Sequence, residues 1–282
     1  MSQTALPEAH EHPEHLAHHF ESLQQQYDSG KLGVWLFLTT EILMFSGLFC
    51  GYAVLRALHP EIFLYAHHYL SIPLGALNTV VLILSSVMVV FGWASLKMND
   101  FRAYKRYQGV TILCALTFLC IKSYEYRDKF NHYEVQLKNG TIYDGHIDRE
   151  NKDTNYFVFE SAPRKVDSHA ELMLPPSAGE KLSPDKKIPM SKIKDRADGR
   201  GKEIENYGPW HSSYLAIYFV LTGLHALHVI GGAIVIFAIW GPLAKLWKTD
   251  PERYINRVEI SGLFWHFVDL IWIFLFPVLY LL

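Results

Sequence analysis

The sequence has little of what organises a secreted or a nucleic-acid-binding domain. It contains three cysteines, Cys50, Cys114 and Cys120, each inside an apolar run. That number and placing argue against an extracellular disulfide framework, the spacing fits no zinc pattern, and the three read as small buried hydrophobes. Charge of one sign is also missing. The formal net charge is −2, and no basic face with interleaved aromatics occurs in a soluble segment, which sets nucleic-acid binding aside. The first 30 residues are polar and rich in His and Glu, without a charged start leading into an apolar run, so no cleavable signal peptide is expected and the first membrane crossing acts as its own insertion signal.

What the sequence has in excess is apolar side chain: 50% of residues are hydrophobic and 14% aromatic. These gather into five runs long enough to cross a bilayer at about 1.5 Å of rise per residue. The first, Gly33 to Leu55, holds a single carboxylate, Glu41, about 12 Å beyond its first residue by the same rise. The second, Ile72 to Leu96, opens beside Pro73 and carries Asn78, Thr79, Ser85 and Ser86, small polar residues suited to close helix packing. The third, Gln108 to Tyr124, ends in Lys122, Tyr124, Glu125 and Tyr126, read as interfacial anchors. The fourth, Tyr214 to Trp240, contains Thr222, His225, His228, Gly231 and Gly232. The fifth, Ile260 to Leu282, carries Trp265, His266 and Asp269, and Pro277 is expected to bend or end it.

These runs imply an all-α membrane protein, a bundle of five transmembrane helices with a small β-containing extramembrane insertion between helices 3 and 4. The divisions are a His-rich tail over residues 1–30, helices 1–3 over 31–126, the insertion over 127–208 and helices 4–5 over 209–282. In the tail, His15, His18 and His19 fall on one helical face; a metal site or proton-collecting surface is one reading, a solvated tail the other. In the insertion, Tyr133–Leu137 and Thr141–Ile147 flank Asn139-Gly140 and predict a hairpin, Tyr156–Phe159 a further strand, and Ser161–Glu205, rich in Pro, Gly and Lys, an irregular arm. The links Lys97–Arg106 and Trp240–Val258 are basic whereas Ala57–Ser71 has no Lys or Arg. The positive-inside rule then places the amino terminus in the cytoplasm and the insertion and carboxyl terminus outside.

An ionisable residue within a membrane run asks for a partner, a cavity or a proton. Glu41 is consistent with a proton path or with pairing for packing. His225 and His228, three residues apart, share a helical face, and so do His266 and Asp269. The set is open to haem or metal ligation, with a carboxylate orienting an imidazole, or to hydrogen bonding between helices.

The runs Trp35-Leu36-Phe37-Leu38 through Glu41, Leu77-Asn78-Thr79, Tyr124-Glu125-Tyr126, Thr222 through Gly232, and Trp265-His266-Phe267-Val268-Asp269 occur in this order on successive crossings. Together they resemble subunit III of the haem-copper respiratory oxidases, the cytochrome c oxidase group. The resemblance implies an accessory subunit with no catalytic residue, no metal and no cofactor of its own, haem and copper residing in partner subunits I and II. It implies packing on subunit I, phospholipid bound in a cleft, and support of proton uptake and of resistance to turnover inactivation. Glu41 matches the family's buried, carbodiimide-modified glutamate; Glu125 and Glu259 match family positions. Glu41, Glu125, His225, His228, Glu259, His266 and Asp269 become a proton-related or buried polar network, and Trp35, Asn78 and Trp265 lipid-cleft or interface positions.

The chain departs from the mitochondrial form in lacking its first two crossings, as in five-helix bacterial forms, so part of the lipid cleft is expected to be closed by another chain such as an extended subunit I. It departs again in the insertion, expected to meet subunit II, a cytochrome donor or a larger respiratory assembly. A quinol oxidase, a nitric oxide reductase complex, and a free-standing membrane metalloprotein or transporter are the alternatives.

Overall fold

The computed structural model describes residues 16–17, 20–60, 62–63, 70–136, 141–148, 156–159, 164–165, 187–189 and 204–282. Most of the His-rich tail, including His15, His18 and His19, lies outside them. The five crossings are helices α1 (Leu23–Leu58), α2 (Ile72–Lys97), α3 (Phe101–Asn131), α4 (Ser213–Trp240) and α5 (Pro251–Phe276). All five are long and apolar enough to span a membrane.

Local chemistry sets their ends. Ser22, Asp100, Ser212 and Asp250 cap α1, α3, α4 and α5, each side chain accepting from the backbone N–H three residues on, which satisfies one of the donors a helix start leaves free. Pro251 follows its cap at the first helical position, where a missing N–H costs nothing. The α2–α3 link is only Met98, Asn99 and Asp100, with Asn99 in the left-handed region at φ 59°. Past α4, Pro242–Lys245 forms a 3₁₀ turn and Leu246–Thr249 a short helical turn. Pro277 ends the regular helix α5, and a π-type turn, Pro277–Leu281, carries the chain to its last residue. At the α3–α4 corner Lys105 Nζ donates to the Trp240 carbonyl. In return Trp240 Nε1 donates to the Lys105 carbonyl at 2.9 Å.

The buried positions repeat at alternating steps of three and four. On α2 they are Gly75, Asn78, Leu82, Ser85, Val89, Gly92 and Leu96. On α3 the same rhythm runs through Tyr104, Gln108, Thr111, Ala115, Phe118, Lys122, Glu125 and Lys129. Tyr218, Thr222, His225, Val229, Gly232 and Ile236 continue it on α4, and Tyr254, Val258, Ser261, Trp265, Val268, Trp272 and Leu275 on α5. A 3.5-residue repeat keeps one seam against its neighbour when helices cross at about 20°, the geometry common to membrane bundles. Two glycines let large rings enter this seam: a Cβ at Gly75 would stand 2.8 Å from Phe276, and one at Gly232 3.0 Å from Phe264 and Trp265.

The insertion is an antiparallel sheet with strands β1 (His132–Gln136), β2 (Thr141–Asp148), β3 (Tyr156–Phe159), β4 (Arg164–Lys165), β5 (Lys187–Pro189) and β6 (Ile204–Asn206). Its order is β5-β3-β2-β1-β6, with β4 on β2. The hairpin is present, with Val135 opposite Tyr143; its Asn139-Gly140 turn lies outside the described residues. The arm expected to be irregular instead contributes β4, β5 and β6. Strands of two or three residues show no alternation in sequence, and these are specified by the partner they pair with. β1 follows α3 without a break, and β6 returns beside it with Asn206 opposite Tyr133, so the sheet leaves and rejoins the bundle at one point.

Of the three cysteines only Cys114 is buried; Cys50 and Cys120 lie on the outer surface of the bundle. The expectation of three buried thiols fails because, in a bilayer, an apolar run is as much at home facing outward as inward.

Candidate functional site

The polar residues of the membrane region fall into separate places. The most enclosed is built on α3. Lys122 and Glu125 face the interior, each 3% exposed, while Tyr124 between them is 64% exposed. The interfacial-anchor reading is corrected for Lys122 and Glu125, which continue the buried seam set by Gln108 and Thr111. Lys122 Nζ donates to Glu125 Oε2 at 2.9 Å, to Tyr280 at 2.7 Å and to Tyr218 at 3.2 Å. Both tyrosine hydroxyls donate in turn to Glu125 Oε1, at 2.7 Å from Tyr280 and 2.9 Å from Tyr218. An ammonium has three protons to give, and all three are placed; the carboxylate accepts the rest. A second cation, Lys129 Nζ, stands 3.9 Å from Glu125 Oε1. Beside this cluster Thr222 donates to the Tyr218 carbonyl at 2.7 Å, so the 2.6 Å contact to Tyr126 is a bond that Tyr126 donates. A closed network of this kind locks α3, α4 and the end of α5 to one another.

The second place joins α1 to α4. Glu41 Oε2 lies 2.9 Å from His228 Nε2, and His228 Nδ1 lies 2.8 Å from the Leu224 carbonyl. A carbonyl only accepts, so Nδ1 carries a proton and the ring turns Nε2 toward the carboxyl group. One further proton is then shared between Nε2 and Oε2, whichever atom holds it. Phe45 meets the imidazole edge-on at 5.4 Å and Phe264 stacks at 6.3 Å. The pair is not sealed: the two side chains are 17% and 15% exposed, toward the outside of the bundle.

His225 does not join its neighbour. It is fully buried between Phe118 and Trp272, with ring centroids at 5.5 Å and 5.1 Å. Three helical residues differ in direction by about 60°, enough to send His225 to the centre and His228 to the α1 side. The two imidazoles therefore do not converge as a ligand pair, and among the described residues no three His, Cys, Asp or Glu side chains do.

On α5, His266 Nδ1 lies 2.7 Å from Ser86 Oγ of α2, and Ser86 also lies beside Asp269. Trp265 Nε1 donates to Ser85 at 3.0 Å. Asn78, Trp265 and Asp269 are inside the bundle, whereas Trp35 is 56% exposed on α1. Glu259 sits apart from all of these, paired to Lys31 at 2.8 Å across a polar cleft of about 170 Å³ that Tyr27, Lys97 and Glu252 also line. The candidate residues thus form several interhelical links rather than one network. Sequence reasoning missed Lys122, Tyr218, Tyr280, Ser86 and Lys31 as partners; a lysine on the same three-and-four seam as Gln108 and Glu125 was the available signal for the first.

The family model for cytochrome c oxidase subunit III matches residues 13–133 and 207–282. Its gap coincides with the sheet, which departs at Tyr133 and rejoins at Asn206. The chain is 25% identical to cytochrome c oxidase subunit 3 of Thermostichus vulcanus over 99% of its own length and 92% of that protein. It is 26% identical to cytochrome bo(3) ubiquinol oxidase subunit 3 of Pseudomonas putida over 91% and 88%, and 24% identical to cytochrome c oxidase subunit 3 of Corynebacterium diphtheriae over 88% and 86%. With five membrane helices in place and the family pattern covering all of them, the chain belongs to the cytochrome c oxidase subunit III family.

Proposed function

We propose that this chain is the accessory, non-redox subunit III of a bacterial respiratory oxidase that reduces oxygen to water and pumps protons, and that it stabilises subunit I, binds phospholipid and supports proton uptake. The observation that carries this reading is how the intramembrane polar groups are used. Glu41 is bonded to His228 and Glu125 to Lys122, Tyr218 and Tyr280, so each holds neighbouring helices together. Haem and copper belong, on this reading, to subunits I and II. A groove of about 560 Å³ lined by Phe49, Tyr52, Val278 and Leu282, with Arg56 among its walls, suits an acyl chain whose phosphate meets the guanidinium. On the same reading the chain lies in a bacterial plasma membrane, and the basic links support an amino terminus in the cytoplasm and a carboxyl terminus outside.

The proton-related part of the proposal rests on Glu41, a group with a shareable proton on the outward side of the bundle. Glu41→Gln keeps a donor for His228 Nε2 and removes the titratable group. The variant oxidase is expected to assemble normally but to lose activity faster during turnover, or to take up protons less readily at alkaline pH. Unchanged turnover lifetime and pH profile would confine Glu41 to packing.

The sheet is proposed to contact subunit II or a cytochrome donor. Because Tyr133 and Asn206 are paired, removing residues 134–205 brings together chain ends that are already neighbours. The bundle is expected to assemble, with weakened electron input or subunit association; a shortened chain indistinguishable in both would refute the contact. A second reading, the equivalent subunit of a quinol oxidase, is favoured by the Pseudomonas putida relative, whose identity is no lower than that of the cytochrome c oxidase relatives. A cysteine pair for a binuclear copper centre in the partner subunit II decides between them.

A further inference from the structure

Asn78 on α2, His225 on α4 and Asp269 on α5 are 0%, 0% and 3% exposed. Both polar side-chain atoms of Asn78 and of His225 are without a hydrogen bond, and the Asp269 carboxyl group has no partner other than the neighbouring Ser86 hydroxyl. Buried polar groups are ordinarily bonded to protein or to ordered water, and each exception requires a cause. His228, three residues from His225, finds the carbonyl four residues back on its own helix; His225 does not. Near Glu125, by contrast, the ammonium, carboxylate and hydroxyl groups are bonded to one another.

The three residues lie at neighbouring heights of the bundle. Trp272 packs on His225 at 5.1 Å and donates to Thr79, the residue after Asn78, at 3.1 Å. Asp269 precedes Trp272 on α5 by three residues, about one turn. Cys114 of α3, which lies near Asp269, precedes by one turn Phe118, the other ring against His225. α2 and α5 run antiparallel, as the bonds Trp265 to Ser85 and Trp272 to Thr79 require, so Asp269 and Asn78 are about one turn apart in height.

We infer that this layer is a hydration site, in which ordered water bridges Asn78, His225 and Asp269. The four orphan atoms of Asn78 and His225, with the acceptor positions of Asp269 that Ser86 does not fill, ask for about two water molecules at about three hydrogen bonds for each buried water. The donor set identifies the ligand. An amide offers both a donor and an acceptor, a neutral imidazole the same, and a carboxyl group accepts. A metal cation needs acceptors from every side and an anion needs donors; a mixed set fits a molecule that both gives and accepts. Ser86, beside Asp269 and bonded to the partly exposed His266, connects the layer to the outer face of α5.

The test uses the assembled oxidase with the full chain. A cryo-EM map that resolves water is expected to show density within about 2.6–3.2 Å of the Asn78 amide and the Asp269 carboxyl group; side chains bonded directly to one another, or a layer without density, would overturn the site. Stability gives an independent reading of opposite sign for the two cases. In a hydrated layer, Asp269→Leu strands the water and lowers Tm by several degrees, whereas Asp269→Asn, which still bonds water, stays close to the parent. In a dry layer Asp269→Leu removes an orphan and leaves Tm unchanged or raised.

Discussion

Helices α1 and α3 are built in opposite senses. α1 is apolar over most of its length yet buries only Leu38, Phe45 and Tyr52, with Trp35, Leu36, Leu43 and Val54 turned outward. α3 carries Gln108, Thr111, Lys122, Glu125 and Lys129, and it buries all five alongside Tyr104, Ala115 and Phe118, while Leu113, Leu116 and Tyr124 are exposed. In water such a division would be inside out. Lipid tails are as apolar as leucine, so burying leucine against another helix gains little, while a polar group gains a partner only inside. Cohesion therefore rests on the least apolar of the five spans, and the more apolar α1 is left with most of its surface turned outward.

The largest effect should come from breaking the charge pair on α3. Glu125→Leu strands Lys122, and Lys122→Met strands Glu125; losing one partner of a buried pair costs about 3–5 kcal/mol. Either single variant should sharply lower the thermal stability of the purified oxidase or its subunit III content. The double variant Lys122→Met with Glu125→Leu removes both ions of the close pair, Lys129 still losing its 3.9 Å contact with Glu125, and should recover a large part of the loss. A double variant as unstable as the sum of the singles would show that the two side chains do not act as a pair, and would remove α3 from the centre of the bundle's energetics.

A smaller effect is expected from Tyr280→Phe, which keeps the ring and deletes one hydroxyl. That hydroxyl accepts from Lys122 at 2.7 Å and donates to Glu125 at 2.7 Å. Hydrogen bonds to charged groups contribute about 1.5–3 kcal/mol, so the loss should fall below that of either charge deletion. It should also vanish in the Lys122→Met and Glu125→Leu background, where the hydroxyl has no ion to serve. Persistence of the full cost there would assign Tyr280 to packing alone.

The contrast between α1 and α3 also explains what the sequence did and did not disclose. Five spans were legible because crossing a bilayer demands a minimum apolar length. Helix ends were not, since α1 begins at Leu23, ten residues before its apolar run, under a Ser22 cap that hydropathy does not register. Glu41 stood out as one carboxylate in an apolar run, but its partner His228 is 187 positions away and no local pattern names it. Lys122 and Glu125 were misread because they close an apolar run, where charged residues usually anchor an interface. The three-and-four seam on α3 would have turned them inward. Equal spacing misled for His225 and His228: sharing a face within about 60° still sent one to the core and the other to α1.

The smallest effect should be found on the outer face of α1, at Gly47. Nothing lies within 4 Å of a Cβ placed there or at Gly51, whereas the same addition at Gly75 meets Phe276 at 2.8 Å. Gly47→Ala adds one methyl group and removes the backbone freedom of a glycine, which in a helix interior favours folding by about 0.5–1 kcal/mol. At Gly75 the gain is the same in kind but is opposed by overpacking, which costs about 1–3 kcal/mol. In the chain purified alone in detergent, Gly47→Ala should unfold at the parent temperature or slightly above it, and Gly75→Ala below it. If Gly47→Ala were instead as damaging as Gly75→Ala, the outer face of α1 would have to be packed against something already in the monomer, and the division of labour between α1 and α3 would fail. The same pair measured within the whole oxidase isolates the contribution of neighbouring subunits. A cost at Gly47 that appears only there belongs to a contact made after this chain has folded.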